Sequence, residues 1–482
     1  MQYLSTRGLS PAVSASEAIL CGLAPDGGLY LPHLLPTVDV ARCLQSDTLS
    51  IATELLGSFF PDLPDMASLV RSAYVGKFET DDLTPTVPVG DMTVLELFRG
   101  PTSAFKDVAL SMLPQLMTAA RTVQGAQEEI LILTATSGDT GKAALVGFQD
   151  VPGIRICVFY PHGGVSDIQR LQMVTQEGSN VTVCAVRGNF DDAQSGVKEI
   201  FSTCRDGRCR YQLSSANSIN IGRLVPQITY YFTAYRDLLR RGQITMGQEV
   251  NFCVPTGNFG DILAGFLAKK LGLPVGKLIC ASNENNVLTD FIRTGVYDRR
   301  RPLKKTVSPS MDILISSNLE RLLYLLSEDT DLVRTLMDQL TLKGVYQVPS
   351  FLQEEIAEQF WAGCVESATA IHAIEDVFRQ HHYLCDPHTA TGWDVAQQYR
   401  RQTGDQRPMV VLSTASPYKF GTAVVQALGG NPADPNEFDR MYRIYKMTNT
   451  PIPKNLAQLK NQPVRHHTVI DKEAMTDFVL SL

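Results

Sequence analysis

From about Leu95 onward this chain repeats one local unit: a short apolar run, a glycine-rich turn, then a helical pattern. Ile130 to Ala135, Ile154 to Phe159 and Val181 to Val186 read as buried strands, and Gly141 to Phe148 begins a helix. A second series follows. Val250 to Val254 enters the turn PTGNFGD, and the helix Ile262 to Leu271 stops at Gly272 with Pro274 beyond. Leu278 to Ala281 and Met409 to Leu412 are two more strands. The repetition predicts an α/β protein of parallel sheets with helices on both faces. It divides the chain into an N-terminal region (1–90), two α/β domains (91–235 and 236–430) and a C-terminal segment (431–482). Asp329 to Arg379 reads as largely helical, Asn431 to Asp439 as a loop, and Asn449 to Pro463 as a surface tail. Two such α/β units commonly hold a ligand in the cleft between them, at the carboxyl ends of strands.

A net charge of −7 argues against a dedicated nucleic-acid binder, which would be basic. No apolar stretch has the length of a membrane span, and the start MQYLSTRGLS lacks the layout of a secretory signal, so a cytosolic location is expected. Cys157, Cys184, Cys253 and Cys280 fall inside apolar runs, where a reduced thiol acts as a small hydrophobe. The close pair Cys204 and Cys209 brackets RDGR, which reads as a turn. No second pair stands at zinc-ligand spacing and no HExxH occurs, so no metal is expected.

Several turns carry chemistry. In VLELFRGPTSAFKDVAL, Val94 to Leu110, Lys106 stands at the mouth of a helix, with Gly100 to Ser103 supplying turn and cap. A lysine so placed is either a solvated surface charge or a nucleophile toward a carbonyl. In VPTGNFGDILAG, Val254 to Gly265, Gly257 and Gly260 allow successive N–H groups to converge on an anion ahead of a helix dipole. The alternative is a tight turn whose glycines serve backbone geometry only. ATSGDTGKAA, Ala135 to Ala144, resembles a P-loop but fails: Thr136 stands where a glycine is required, and Ala143 where Ser or Thr should be. What remains is a loop of hydroxyls and N–H groups suited to a carboxylate. In LSTASPYKF, Leu412 to Phe420, a hydroxyl at the end of a strand either meets a ring nitrogen or caps the helix ahead of Pro417.

Taken together, these segments resemble the threonine synthases, within the fold-type II family of pyridoxal-phosphate enzymes. The resemblance runs from YLSTRG and GLAPDGGLYLP through GPTSAFKD, TSGDTGKAA, SSANSINIGR and VPTGNFGDILAG to SPSMDILISSNLERLL, DPHTATG and STASPYKF. It implies the tryptophan synthase β-like fold with an N-terminal extension. It implies that Lys106 forms the Schiff base with pyridoxal 5'-phosphate, and that Gly257, Asn258, Phe259, Gly260 and Asp261 cradle its phosphate. Thr414 would meet the pyridine nitrogen and Asn217 the hydroxyl side of the ring. Thr136, Ser137, Asp139 and Thr140 would surround the substrate carboxylate.

The family's reaction converts O-phosphohomoserine and water into threonine and phosphate, by γ-elimination and then addition of water at the β-carbon. Arg223, Lys142 and Lys419 are the candidates for the substrate phosphate, each of them otherwise an ordinary surface charge. His388 either approaches the site or only follows the cap Asp386. The chain departs from the family pattern at Arg99, Ser416 and Tyr418, positions expected near the cofactor. A phospholyase that releases 2-oxobutyrate, ammonia and phosphate is the nearest alternative. A dehydratase and a catalytically inactive cofactor-binding protein are more distant ones, and the oligomeric state, monomer or homodimer, is open.

Overall fold

The apolar runs become the strands of two sheets. The computed structural model describes residues 1–136, 138–204, 210–434 and 436–482, apart from the side chains of Asp191 and Ser202. The five-stranded sheet has the order Thr468–Asp471, Val181–Arg187, Ile154–Pro161, Ile130–Ala135, Gln212–Ser214, all parallel. The six-stranded sheet has the order Phe360–Cys364, Val275–Ser282, Val250–Pro255, Met409–Ser413, Met92–Glu96, Thr86–Val89, with only the last strand antiparallel. Every residue of Ile130–Ala135 and Val250–Pro255 is buried. That is why these runs are unbroken rather than alternating: helices cover both faces.

The sheets do not follow the order of the chain. Met92–Glu96, grouped by sequence with residues 91–235, pairs with Met409–Ser413 of the later half. Thr468–Asp471, from the C-terminal segment, pairs with Val181–Arg187 of the earlier half. Local periodicity marks a strand but not its partner. Within the stretch expected to be largely helical, Thr330–Lys343, Ser350–Gln359 and Ser367–His381 are helices, but Phe360–Cys364 is an edge strand. The loop expected at Asn431 to Asp439 ends earlier, where Asn436 caps the helix Glu437–Thr448.

The N-terminal region forms an antiparallel three-stranded sheet, Val13–Ser14, Gln2–Ser5 and Tyr30–Pro32. It is not set apart: Ile19, Leu55 and Phe59 share one apolar core with Val108, Leu113 and Leu116 of the helix Lys106–Gln124. Arg321, fully buried, ties this region to the rest. Its guanidinium donates to the carbonyls of Tyr30 at 3.1 Å, Ser218 at 3.2 Å and Ile219 at 2.6 Å. Arg321→Met is expected to strand these carbonyls and to destabilise the protein by about 3 kcal/mol or more, read as a lower melting temperature. An unchanged melting temperature would show that the three carbonyls find other partners.

Candidate active site

Lys106 opens the helix Lys106–Gln124, after a turn that folds back on itself. Ser103 is left-handed at φ 58°, and the Asp107 carboxylate accepts from the Thr102 N–H at 2.9 Å and hydroxyl at 2.5 Å. The hydroxyls before the helix do not cap it: its N-terminus has no side-chain cap, and Asp107 instead reaches back to hold the turn. The same turn is zipped to the segment after Met409–Ser413. Phe105 N–H donates to Thr414 O at 2.8 Å, and Ser416 N–H donates to Ser103 O at 3.1 Å. Asn455 closes the outside, donating to Pro101 O at 2.8 Å and accepting from the Ser103 hydroxyl at 3.1 Å. These bonds place Lys106 and Thr414 in one cavity.

That cavity has a volume of about 1960 Å³, beyond the usual range for a single small ligand, and Lys106, Thr136, Asn217, Arg223, Asp261 and Thr414 line it. Removal from water is the largest influence on the Lys106 amine. The attraction of Asp139 opposes it and the repulsion of Arg223 and Lys419 adds to it, which leaves Lys106 pushed down to about 8. At pH 7 roughly one tenth of such an amine is neutral, against fewer than about one thousandth of an ordinary lysine.

The glycine turn has the form of an anion cradle. Phe259, left-handed at φ 62°, leads into the helix Gly260–Lys270. Among the described residues no carbonyl accepts from the N–H groups of Gly257, Asn258, Phe259, Gly260 or Asp261. A Cβ on Gly257 would lie 2.8 Å from Ser310 O, so only glycine fits there. The Phe259 ring instead packs on Phe360 at 5.6 Å, leaving its backbone as its contribution. The Asp261 carboxylate accepts from the Ile262 N–H at 2.9 Å, and burial pushes it up to about 6. Its share in holding an anion is therefore its N–H. Free N–H groups, a partly neutral amine and the Thr414 hydroxyl fit the phosphate, aldehyde and ring of pyridoxal phosphate.

The polar loop is arranged differently from expectation. The Thr136 hydroxyl accepts from the N–H groups of Gly138 and Gly141, each at 2.9 Å, and Ser137 lies outside the described residues. Asp139 forms an ion pair with Lys419 at 2.7 Å, both side chains inaccessible, and accepts from the Gln169 amide at 2.9 Å. Burial alone would raise the Asp139 carboxyl, but Lys419, Lys106 and Gln169 hold it well below the usual carboxylate range. Asp139 is thus taken by an internal cation, and Lys419 is not free for a phosphate. Lys142 does not line the cavity: it donates to Gln176 at 2.6 Å, and burial pushes it down to about 8.

Of the three candidate cations, Arg223 alone lines the cavity. It is 4% exposed, its Nη1 donates to the Ala216 carbonyl, and its Nε is buried without a partner. Burial pushes it down to about 10, so it stays charged at neutral pH. Thr140 and Asn217 also line the cavity. Arg99, Ser416 and Tyr418 do not. Arg99 pairs with Glu96 at 2.6 Å and Glu79 at 3.1 Å, Ser416 caps the turn Pro417–Phe420, and the Tyr418 hydroxyl donates to Thr450 O at 2.5 Å. Gln169 and Asn455 were not anticipated. Gln169 belongs to a capping box with Ser166, a pattern visible as SDIQ, whereas nothing local marks Asn455.

The rate at which cofactor-free protein takes up pyridoxal phosphate should rise with pH through about 8, because only the neutral amine attacks the aldehyde; Lys106→Ala should abolish the reaction. Stopped-flow absorbance at several pH values measures this, and a rate that is flat from pH 7 to 9 would contradict the lowered amine. Lys419→Met should leave Asp139 buried without its counter-charge and destabilise the fold by about 3–5 kcal/mol. Adding Asp139→Asn should recover part of that loss in thermal denaturation.

Comparison with known proteins agrees with this geometry. Residues 2–85 match the threonine synthase N terminus family, residues 92–415 the pyridoxal-phosphate dependent enzyme family, and residues 389–479 the threonine synthase C-terminal family. The chain is 38% identical to threonine synthase of Saccharomyces cerevisiae, over 89% of each chain. It is 39% identical to threonine synthase-like 1 of Homo sapiens, over 88% of this chain and 60% of that protein. A crystal structure of threonine synthase from Brucella melitensis with pyridoxal phosphate bound superposes with a TM-score of 0.87 at 37% identity, covering 100% of this chain and 99% of that one. The chain belongs to the threonine synthase family of pyridoxal-phosphate-dependent enzymes.

Proposed function

We propose that the protein converts O-phosphohomoserine and water into threonine and phosphate, with Lys106 carrying the protons. One observation supports this reading above the others: a lysine lowered to about 8, a turn of free N–H groups and an arginine without a carboxylate partner share one cavity. Pyridoxal phosphate, when bound, withdraws electrons from the substrate's α-carbon. The N–H groups of Gly257 to Asp261 would hold its phosphate, and the Thr414 hydroxyl, a neutral group, would meet its ring nitrogen. Lys106, free once substrate is bound, would take the α-proton and then a β-proton, deliver one to the γ-carbon as phosphate leaves and one back to the α-carbon after water has added its hydroxyl at the β-carbon, the remaining proton leaving with the phosphate. Arg223 holds an anionic end of the substrate, and Thr140 and Asn217 complete the polar lining.

The mouth of the cavity favours an anionic substrate. Lys198, Lys305 and Lys343 are exposed on it and Arg299 is half-buried there. Among the described residues none of the four has an acidic partner, whereas the neighbouring Arg300 is neutralised by Asp298 at 2.8 Å. In a chain of net charge −7, this clustering draws a phosphate monoester inward. Cys157, Cys184, Cys253 and Cys280 are buried free thiols, and no helix of the described residues is long and apolar enough to cross a membrane.

Incubation of the loaded protein with O-phosphohomoserine is expected to yield threonine and phosphate in equal amounts, followed by chromatography and phosphate release. Equal amounts of 2-oxobutyrate and ammonia, without threonine, would replace this reading with the phospholyase. Arg223→Gln should lower kcat/KM by roughly 30-fold or more, as expected for a lost buried charge contact, with cofactor absorbance retained. Unchanged kcat/KM would remove Arg223 from the site.

A further inference from the structure

His388 stands where a proton relay would be sought, yet its geometry assigns it another task. Asp386 caps the helix Pro387–Thr403, accepting from the N–H of His388 at 2.8 Å and of Thr389 at 3.3 Å. The same carboxylate lies 2.6 Å from His388 Nδ1. On the other side of the ring, the backbone N–H of Ser310 donates to His388 Nε2 at 3.2 Å. A backbone N–H can only donate, so Nε2 is the acceptor and the ring proton sits on Nδ1, given to Asp386. His388 lines the cavity with its ring against Phe420 at 4.8 Å, but both nitrogens are already used. A ring with both nitrogens engaged has no free site from which to move a substrate proton.

What the ring does hold is the segment around the glycine turn. Ser310 O is the atom that a Cβ on Gly257 would meet at 2.8 Å. Further along, the Ser316 hydroxyl donates to Gly257 O at 2.8 Å and Asn318 N–H donates to Asn258 O at 3.1 Å. Between them Asp312 anchors the segment from behind, accepting from Thr306 N–H at 3.0 Å and the Asn283 amide at 2.8 Å. We propose that His388 is a positioning residue, a clamp that fixes the segment 309–318 against the turn Gly257 to Asp261 and so sets how tightly the cofactor phosphate is held. The inference rests on the reading that this turn binds the phosphate.

Two amide variants separate the roles of the ring nitrogens. The carbonyl of His388→Gln reaches the Nε2 position and can still accept from Ser310, whereas His388→Asn reaches only as far as Nδ1. Titration of cofactor-free protein with pyridoxal phosphate should give a dissociation constant near that of the unaltered protein for His388→Gln and about tenfold higher for His388→Asn. Ser310→Pro, which deletes the donated N–H and leaves the ring untouched, should also raise it about tenfold and serves if His388→Asn does not fold. At saturating cofactor His388→Gln should keep kcat within about threefold. Unaltered cofactor affinity in both His388→Asn and Ser310→Pro would overturn the clamp, and a hundredfold loss of kcat in His388→Gln would make His388 a proton carrier instead. Gly257→Ala distinguishes the two levels. If it leaves cofactor affinity unchanged, the phosphate assignment of the turn fails and the clamp with it; if it weakens affinity while the two clamp variants do not, only the clamp fails.

Discussion

Behind Lys106, the buried pair of Asp139 and Lys419 joins the two sheets. Asp139 opens the helix that follows Ile130–Ala135 in one sheet, and Lys419 lies just after Met409–Ser413 in the other. Lys419 also donates to Thr102 O at 3.1 Å, so a single ammonium holds the start of one helix, the turn before Lys106 and its own segment together. A pair this deep gains little net stability over apolar packing, but breaking either half leaves a charge with no water to turn to. It therefore works as a register pin: the halves meet in one arrangement or the interior carries a naked charge.

The pin also sets the electrostatics of the cavity. The attraction of Asp139 for the Lys106 amine is opposed by the repulsion of Arg223 and then of Lys419. Burial then decides, and the amine spends an appreciable share of its time neutral. Arg223 adds a fixed positive charge that, among the described residues, no carboxylate matches. The cavity is thus electropositive while its reactive amine is not fully charged, a combination suited to drawing in an anion and still performing addition to an aldehyde.

The parts that depend on consecutive residues were legible in the sequence. The buried strands, the glycine turn, Lys106 at a helix start and Thr414 at a strand end all lie where short-range pattern placed them, because each is fixed by local backbone geometry. What local pattern could not show were the contacts decided by a partner far along the chain. Asp139 and Lys142 look alike in TSGDTGKAA, as polar residues beside a turn, and only the fold reveals that one meets Lys419 and the other Gln176. Phe360–Cys364 is a strand because Val275–Ser282 offers it an edge, not because five residues between helices announce one. Arg99 and Tyr418 were expected near the cofactor because they adjoin motif residues, yet side chains one position apart on a turn point to different surroundings.

The pairing of Met92–Glu96 with Met409–Ser413 has a consequence for how the molecule comes into being. The turn that carries Lys106 is stitched at both ends to residues synthesised far later, down to the bond between Ser103 and Asn455, 352 positions apart. A growing chain can complete most of its five-stranded sheet early, but the reactive lysine stays on an unfinished edge until nearly the whole polypeptide has emerged. Loop closure over such a distance is slow compared with local helix formation. Competence to bind the cofactor therefore arrives last, and a ribosome-bound fragment that looks well folded by its helices would still have no closed site in which to hold it.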